Sequence, residues 1–184
     1  MEIPSLIVIT DKHDDNGKRI NATLTFDRGE ILYDCDNCAY VVGDIADTDD
    51  MDHARHQIQD IAQDGNVDRG TRTLSLAHAE VVEMLFPFTR DNVDGNDNLD
   101  DTKREPQTYT VRLNLPQRFS KTTVDLLRNL IHEYMVCRVL QDWLSITYPK
   151  AADIWAAKVE EVKQKIKEAK AARTGFTKRR MSPF

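Results

Sequence analysis

Apolar and polar residues alternate near the start of the chain. Ile20, Ala22, Leu24 and Phe26 interleave with Asn21, Thr23 and Thr25. This period of two buries one face of a strand and leaves the other wet. Ser5-Leu-Ile-Val-Ile-Thr10 is a short β-branched run and reads as a second strand, with the tight-turn pair Asn16-Gly17 between the two. Arg28-Gly29 marks another turn. Ile31 to Cys35 and Cys38 to Val42 read as two further strands around Asp36-Asn37. Residues 1–46 are therefore expected to form a small antiparallel β meander.

The period then changes to that of a helix. Asp47, Thr48 and Asp49 offer N-caps, and Asp50 and Asp52 suit the first-turn dipole. Met51, Ala54, Ile58 and Ile61 form an apolar stripe, which Asp64-Gly65-Asn66 is expected to stop. A second helix is expected from about Thr71 to Phe86, with the stripe Leu74, Ala77, Val81, Leu85 and Phe88 and with Pro87 weakening its end. Residues 90–107 lack large apolar groups beyond Val93 and Leu99 and read as an acidic loop. Tyr109, Val111, Leu113 and Leu115 alternate again, a strand closed by Pro116.

The longest helix follows, capped by Ser120 or Thr122 and running to about Ile146. It has two apolar ridges: Leu127, Leu130, Tyr134, Cys137 and Leu144, and Ile131, Met135, Val139, Trp143 and Ile146. Two ridges imply a central helix covered on more than one side. The final helix, about Ala151 to Ala172, carries Trp155, Val159, Val162, Ile166 and Ala169 and should fold back on the long one after Tyr148-Pro149. The expected class is α+β, mainly α. It is an antiparallel helical bundle with a long central helix, plus an N-terminal antiparallel β meander and one further strand. The expected division is 1–46 for the meander, 47–173 for the helical part with an inserted acidic loop and strand at about 90–116, and 174–184 for a basic C-terminal tail.

Composition narrows the classes. The chain has 184 residues, 40% of them hydrophobic and 30% charged, with 7 Gly and 6 Pro. This argues against wholesale disorder and collagen-like repeats. Three cysteines do not make a fully paired secreted framework. No basic start followed by a long apolar run is present, so no signal peptide is expected, and no apolar stretch is long enough to span a membrane. A reducing cytosolic origin fits. The net charge is −6, but its spread is uneven: residues 1–50 hold twelve acids and four bases, residues 151–184 nine bases and four acids. The asymmetry suits head-to-tail contact between subunits or a basic tail meeting an acidic partner. The acidic total opposes unspecific wrapping of nucleic acid.

One metal site can be drawn. Cys35-Asp-Asn-Cys38 at a hairpin turn, followed by His53-Ala-Arg-His56 on a helix, has the order of a two-thiolate, two-imidazole zinc site. The histidine spacing is one residue short of the usual window, and the chain has other core material. The bland alternative is two small apolar cysteines and two surface histidines. Asp91 to Asp101 resembles a calcium loop in composition only: with Gly95 at the sixth position, Arg90 takes the first and Asp101 the twelfth. His132-Glu133 begins like a zinc-protease helix, but Val136 stands where the second histidine belongs. No phosphate-binding glycine loop and no GxSxG are present. No catalytic residue and no cofactor are assigned.

The order of parts resembles the head–tail connector (adaptor, neck) proteins of tailed phages. Four stretches carry the resemblance: Met51 to Ile61, Leu76 to Phe88 with its aromatic–Pro turn, Val124 to Leu140, and Trp155 to Lys167 followed by a basic tail. Together they cover roughly half of the chain. The N-terminal meander and the acidic loop with its strand are extra to the compact members. The resemblance implies a non-enzymatic virion protein, assembled in the host cytoplasm and placed in the neck. It implies a closed homo-oligomeric ring, dodecameric in size, between the portal and the tail or other neck proteins. DNA would pass through without sequence-specific binding. On that reading Arg173, Lys178, Arg179, Arg180 and Phe184 form the interface with the portal or an adjacent subunit. The alternative is a zinc-stabilised regulatory or nucleic-acid-binding module.

Overall fold

A computed structural model describes residues 7–10, 19–46, 52–89, 106–116 and 119–171. Among these the architecture is mainly helical α+β. Strands β1 (Ile7–Thr10), β2 (Arg19–Asp27) and β3 (Thr108–Pro116) form one antiparallel sheet in the order β1-β2-β3. The helices are α1 (Arg28–Ile45), α2 (Asp52–Gln59), α3 (Asp64–Met84), α4 (Lys121–Thr147) and α5 (Pro149–Ala171), with a 3-10 turn at Asp60–Ala62.

The alternating pattern sets the sheet. Ala22, Leu24 and Phe26 pair across the ladder with Leu113, Val111 and Tyr109, and all six are buried. Leu115 joins them opposite Ile20. Thr110, Arg112 and Asn114 face the other way. The inner face meets α3, where the Tyr109 and Ser75 hydroxyls lie 3.0 Å apart and the His78 ring nitrogen lies 3.0 Å from the Thr110 carbonyl. The strand expected from 109 to 115 is thus a partner of β2 in the N-terminal sheet rather than a separate insertion.

The meander does not continue past β2. The two strands expected at 31–35 and 38–42 are instead the single helix α1, and Arg28-Gly29 is its first turn rather than a hairpin turn. The cause is local. Asp27 sits in extended conformation and its carboxylate accepts the Glu30 N–H at 3.0 Å, an N-cap. Ile31, Cys35 and Ala39 then recur every four residues and are all fully buried. A strand would have put Tyr33 on the same face as Ile31 and Cys35, whereas the helix turns it away and leaves it 66% exposed. The core also includes residues from both sides of the 46/47 line: Ala22, Leu24, Ile31 and Cys35 belong to the same buried cluster as Leu74, Val111 and Leu140.

The first helix of the central part ends as a 3-10 turn just before Asp64-Gly65-Asn66, and these residues open α3, which therefore starts ahead of the expected Thr71. Its stripe Leu74, Ala77, Val81 and Leu85 is fully buried, with Phe88 partly so. Helix α4 contributes most to the core. Both ridges are buried up to Leu144, apart from a half-buried Leu130, and Val136 and Leu140 between them are buried too. Of the ridge residues only Ile146, at the end, is exposed, and Leu126, off the ridges, is exposed too. Ser120 occupies the N-cap position, though its hydroxyl faces Thr122 at 2.6 Å rather than the backbone. After Tyr148 the chain reverses into α5, which turns Val159, Val162, Ile166 and Ala169 inward.

Gly43 is a point of close approach between α1 and α2. A Cβ there would lie 2.7 Å from Gln59 Cγ. Gln59 in turn donates from its amide to the Tyr40 carbonyl at 3.3 Å. Gly43→Leu is expected to push α2 off α1 and cost about 1–3 kcal/mol, as overpacking does. A urea midpoint equal to that of the wild type would contradict this close packing.

Candidate interaction surface

Helices α1 and α5 both sit on α4 and flank a groove. Cys35 donates its S–H to the Val136 carbonyl at 3.8 Å, and His132 Nε2 meets Asp34 Oδ2 at 2.7 Å. These ties make α1 run alongside α4 in the same direction. On the other side Lys158 pairs with Glu133 at 2.6 Å and lies 4.9 Å from the Trp155 ring centroid, a cation–π contact. Helix α5 therefore runs against both.

The groove has a volume of about 440 Å³ and is lined chiefly by Val42, Ile45, Ala151, Ile154, Trp155 and Lys158. Ile45 and Ile154 stand at its rim, 77% and 70% exposed. Tyr40 and Val41 on α1 and Ile146 at the end of α4 are exposed as well. Isolated exposed apolar residues are ordinary; here two open isoleucines stand together at the rim of one apolar groove. A smaller polar concavity of about 250 Å³ lies on the outer face of the sheet around Asn21, Thr23 and Arg112.

Beside the groove are three free thiols, Cys35, Cys38 and Cys137, of which Cys38 and Cys137 neighbour its lining residue Lys158. Burial pushes Cys35 well above the ordinary thiol range, and the neighbouring Cys38 and Asp34 add to this. Burial first, then Glu133, pushes Cys137 up to about 12. Cys38 is raised by burial, with Lys158 working against that shift. The hydrogen bond to Glu133 raises Lys158. All three sulfurs are held as neutral thiols near pH 7, the state least suited to nucleophilic attack or metal ligation.

The other helix contacts are polar clasps. Arg69 reaches Asp142 Oδ2 through Nε at 3.1 Å and Nη2 at 2.9 Å, joining α3 to α4. Tyr134 donates to Glu80 at 2.7 Å, and Arg138 approaches the same carboxylate at 3.5 Å. Burial, then that hydrogen bond, raises the Tyr134 hydroxyl above its ordinary value. Arg55 of α2 pairs with Asp44 of α1.

The residues singled out from the sequence are not gathered in one place. Cys35 and Cys38 lie three apart on α1, not at a hairpin turn, and Cys35 points into α4. His56 is exposed on α2, while the His53 side chain lies outside the described residues. Among the described residues no group of three or more His, Cys, Asp or Glu side chains is placed to hold a metal ion. His132 lies at the α1–α4 boundary, paired with Asp34. Arg173, Lys178, Arg179, Arg180 and Phe184 lie outside the described residues, as do the acidic positions 91–101. Among the described residues no helix is long and apolar enough to cross a membrane. The groove itself was missed from sequence. Its signal was present in the helical spacing of Cys38, Val42 and Ile45, and in Ile154, which falls off the buried stripe of α5.

Comparison with protein-family models, with curated proteins and with solved structures finds no significant match.

Proposed function

We propose that the protein is a non-enzymatic structural subunit of a phage neck, one copy of the ring that joins portal to tail. On this reading α4 is the central helix of an antiparallel bundle, and α5 folded on it forms the unit that meets a neighbour. The observation that carries the reading is the apolar groove between α1 and α5 with Ile45 and Ile154 open at its rim. A heterologous ring contact needs a patch on one face to meet a different patch on the next copy. The groove supplies one such patch. The basic residues Arg173, Lys178, Arg179 and Arg180, with Phe184, supply the other, against a neighbour or the portal. The ring would stabilise packaged DNA and leave a passage for its ejection. Four acids against one base on α1 would discourage a sliding genome from sticking wherever that helix faces the channel.

Native mass spectrometry of the purified chain, alone and with a portal ring, tests this. A metal-free closed oligomer, formed alone or on the portal, is the expected result. Reversing Lys178, Arg179 and Arg180 to Glu should abolish docking and leave helicity by circular dichroism unchanged. A monomer that carries one zinc and ignores the portal would overturn the reading in favour of a zinc-stabilised module.

A further inference from the structure

The groove has a counterpart on the outward face of α1. We propose that it receives that face from a neighbouring copy of this chain, with the neighbour's Tyr40 beside Ile154 and the neighbour's Asp36 against Lys150. The inference deepens the ring reading and rests on it in taking the neighbour to be another copy.

The two surfaces carry the same spacing with opposite charge. The charged residues that line the groove are both lysines, Lys150 and Lys158, and Ile154 lies midway between them on α5. On α1, Asp36 and Asp44 stand in the same relation to Tyr40. Each set is spaced i, i+4, i+8, so it forms one ridge of its helix with about 12 Å between the end residues. The middle residue of each ridge is an exposed apolar side chain, Tyr40 at 56% and Ile154 at 70%. Rows with this spacing are the ones that interdigitate in the commonest class of helix packing. If the neighbour's α1 runs in the direction of α5, its Asp36 falls on Lys150, its Tyr40 beside Ile154 and its Asp44 near Lys158. Asp44 and Lys158 already hold Arg55 and Glu133 within the chain. Asp36 and Lys150 make no ion pair among the described residues, so they carry the new pairing. Tyr33, 66% exposed, extends the apolar ridge one further anchor, seven residues before Tyr40. This is the pattern of an amphipathic helix laid in a groove.

Direction decides how the copies are arranged. At 100° per residue, Tyr40 lies about 160° round α1 from Val42 and about 140° from Ile45, the residues with which that helix walls the groove. The donor face and the receiving groove of one chain therefore look different ways. Such a pair makes a head-to-tail contact, which repeats from copy to copy, rather than a two-fold one.

Sedimentation velocity of the full chain tests the proposal. The wild type is expected to associate beyond two copies as its concentration rises to about 200 µM. Tyr40→Asp and Ile154→Asp, both at exposed positions, should each stay monomeric with unchanged helicity by circular dichroism. Mixed in equal amounts they should form a dimer and nothing larger, because one chain keeps the groove and the other keeps the ridge. Asp36→Lys and Lys150→Asp should each weaken association about tenfold, and a chain carrying both should regain it. A wild type that stays monomeric would leave the groove to a different partner and overturn the proposal. So would Tyr40→Asp assembling like the wild type, or a wild type that stops at two copies. Assembly that follows these variants but ignores a portal would overturn the ring reading and leave the contact standing. A portal that recruits Tyr40→Asp as well as it recruits a wild type monomeric on its own would do the reverse.

Discussion

Trp143→Ala is expected to cost about 3–5 kcal/mol of stability, as large aromatic truncations in cores do. The side chain is only 9% exposed on the core helix α4, and its indole N–H donates to the Ile58 carbonyl at 2.8 Å. That bond fastens the end of α2 to α4. The truncation removes buried ring area and also strands a carbonyl. Trp143→Phe keeps most of the area and loses the donor, so about 1–3 kcal/mol is expected. Ile154→Ala at the groove rim should change stability by under about 0.5 kcal/mol. Urea unfolding followed by circular dichroism ranks the three. A loss below about 1 kcal/mol for Trp143→Ala would mean that α2 is not held by α4 as the hydrogen bond indicates.

The elements that the sequence announced are those whose pattern has one reading. Ala22, Leu24 and Phe26, and likewise Tyr109, Val111, Leu113 and Leu115, alternate without a competing helical period, and both strands are present with those residues buried. The long helix shows through because Leu127, Ile131, Tyr134, Met135 and Val139 keep a helical repeat over several turns. The residues of helix α1 satisfy two templates. Ile31, Tyr33 and Cys35 alternate like a strand, while Ile31, Cys35, Cys38, Ala39 and Val42 recur like a helix. β-Branched and aromatic residues, with Gly29 before them, tipped the reading toward strand. Asp27 followed three residues later by Glu30 was the overlooked start signal. Pairing was beyond the pattern: nothing in residues 108–116 says that their partner is β2, some ninety residues earlier, because that choice is made by the shape of the shared core. The groove follows from the same error. Once 28–45 is a helix beside α4, a second apolar ridge of α1 must face α5, and only then do Ile45 and Ile154 come together.

Alkaline pH is expected to undo the thiol packing beside that groove. The ordinary value for a thiol is 9.0, whereas folded Cys137 keeps its proton to about 12 and burial holds Cys35 higher still. Between the unfolded and folded values the native state binds more protons than the unfolded chain, so stability falls as pH rises. The contribution is fully present below pH 9 and is lost as pH climbs through the folded values. The slope is about 1.4 kcal/mol per pH unit for each thiol, roughly 3 for the two together. The wild-type urea midpoint should fall steeply between pH 9 and 11. Cys35→Ala or Cys137→Ala alone should lessen that slope, and the double variant should leave the part that belongs to Cys38 and other groups. The lower end of that range is the cleanest, because the Tyr134 hydroxyl, also raised by burial from its ordinary 10.0, begins to add a slope of the same sign as pH nears 10. A slope unchanged in the double variant would mean that water enters between α1 and α4. Lys158, which lines the groove, neighbours both Cys38 and Cys137, so such wetting would reach a wall on which a neighbouring copy would rest.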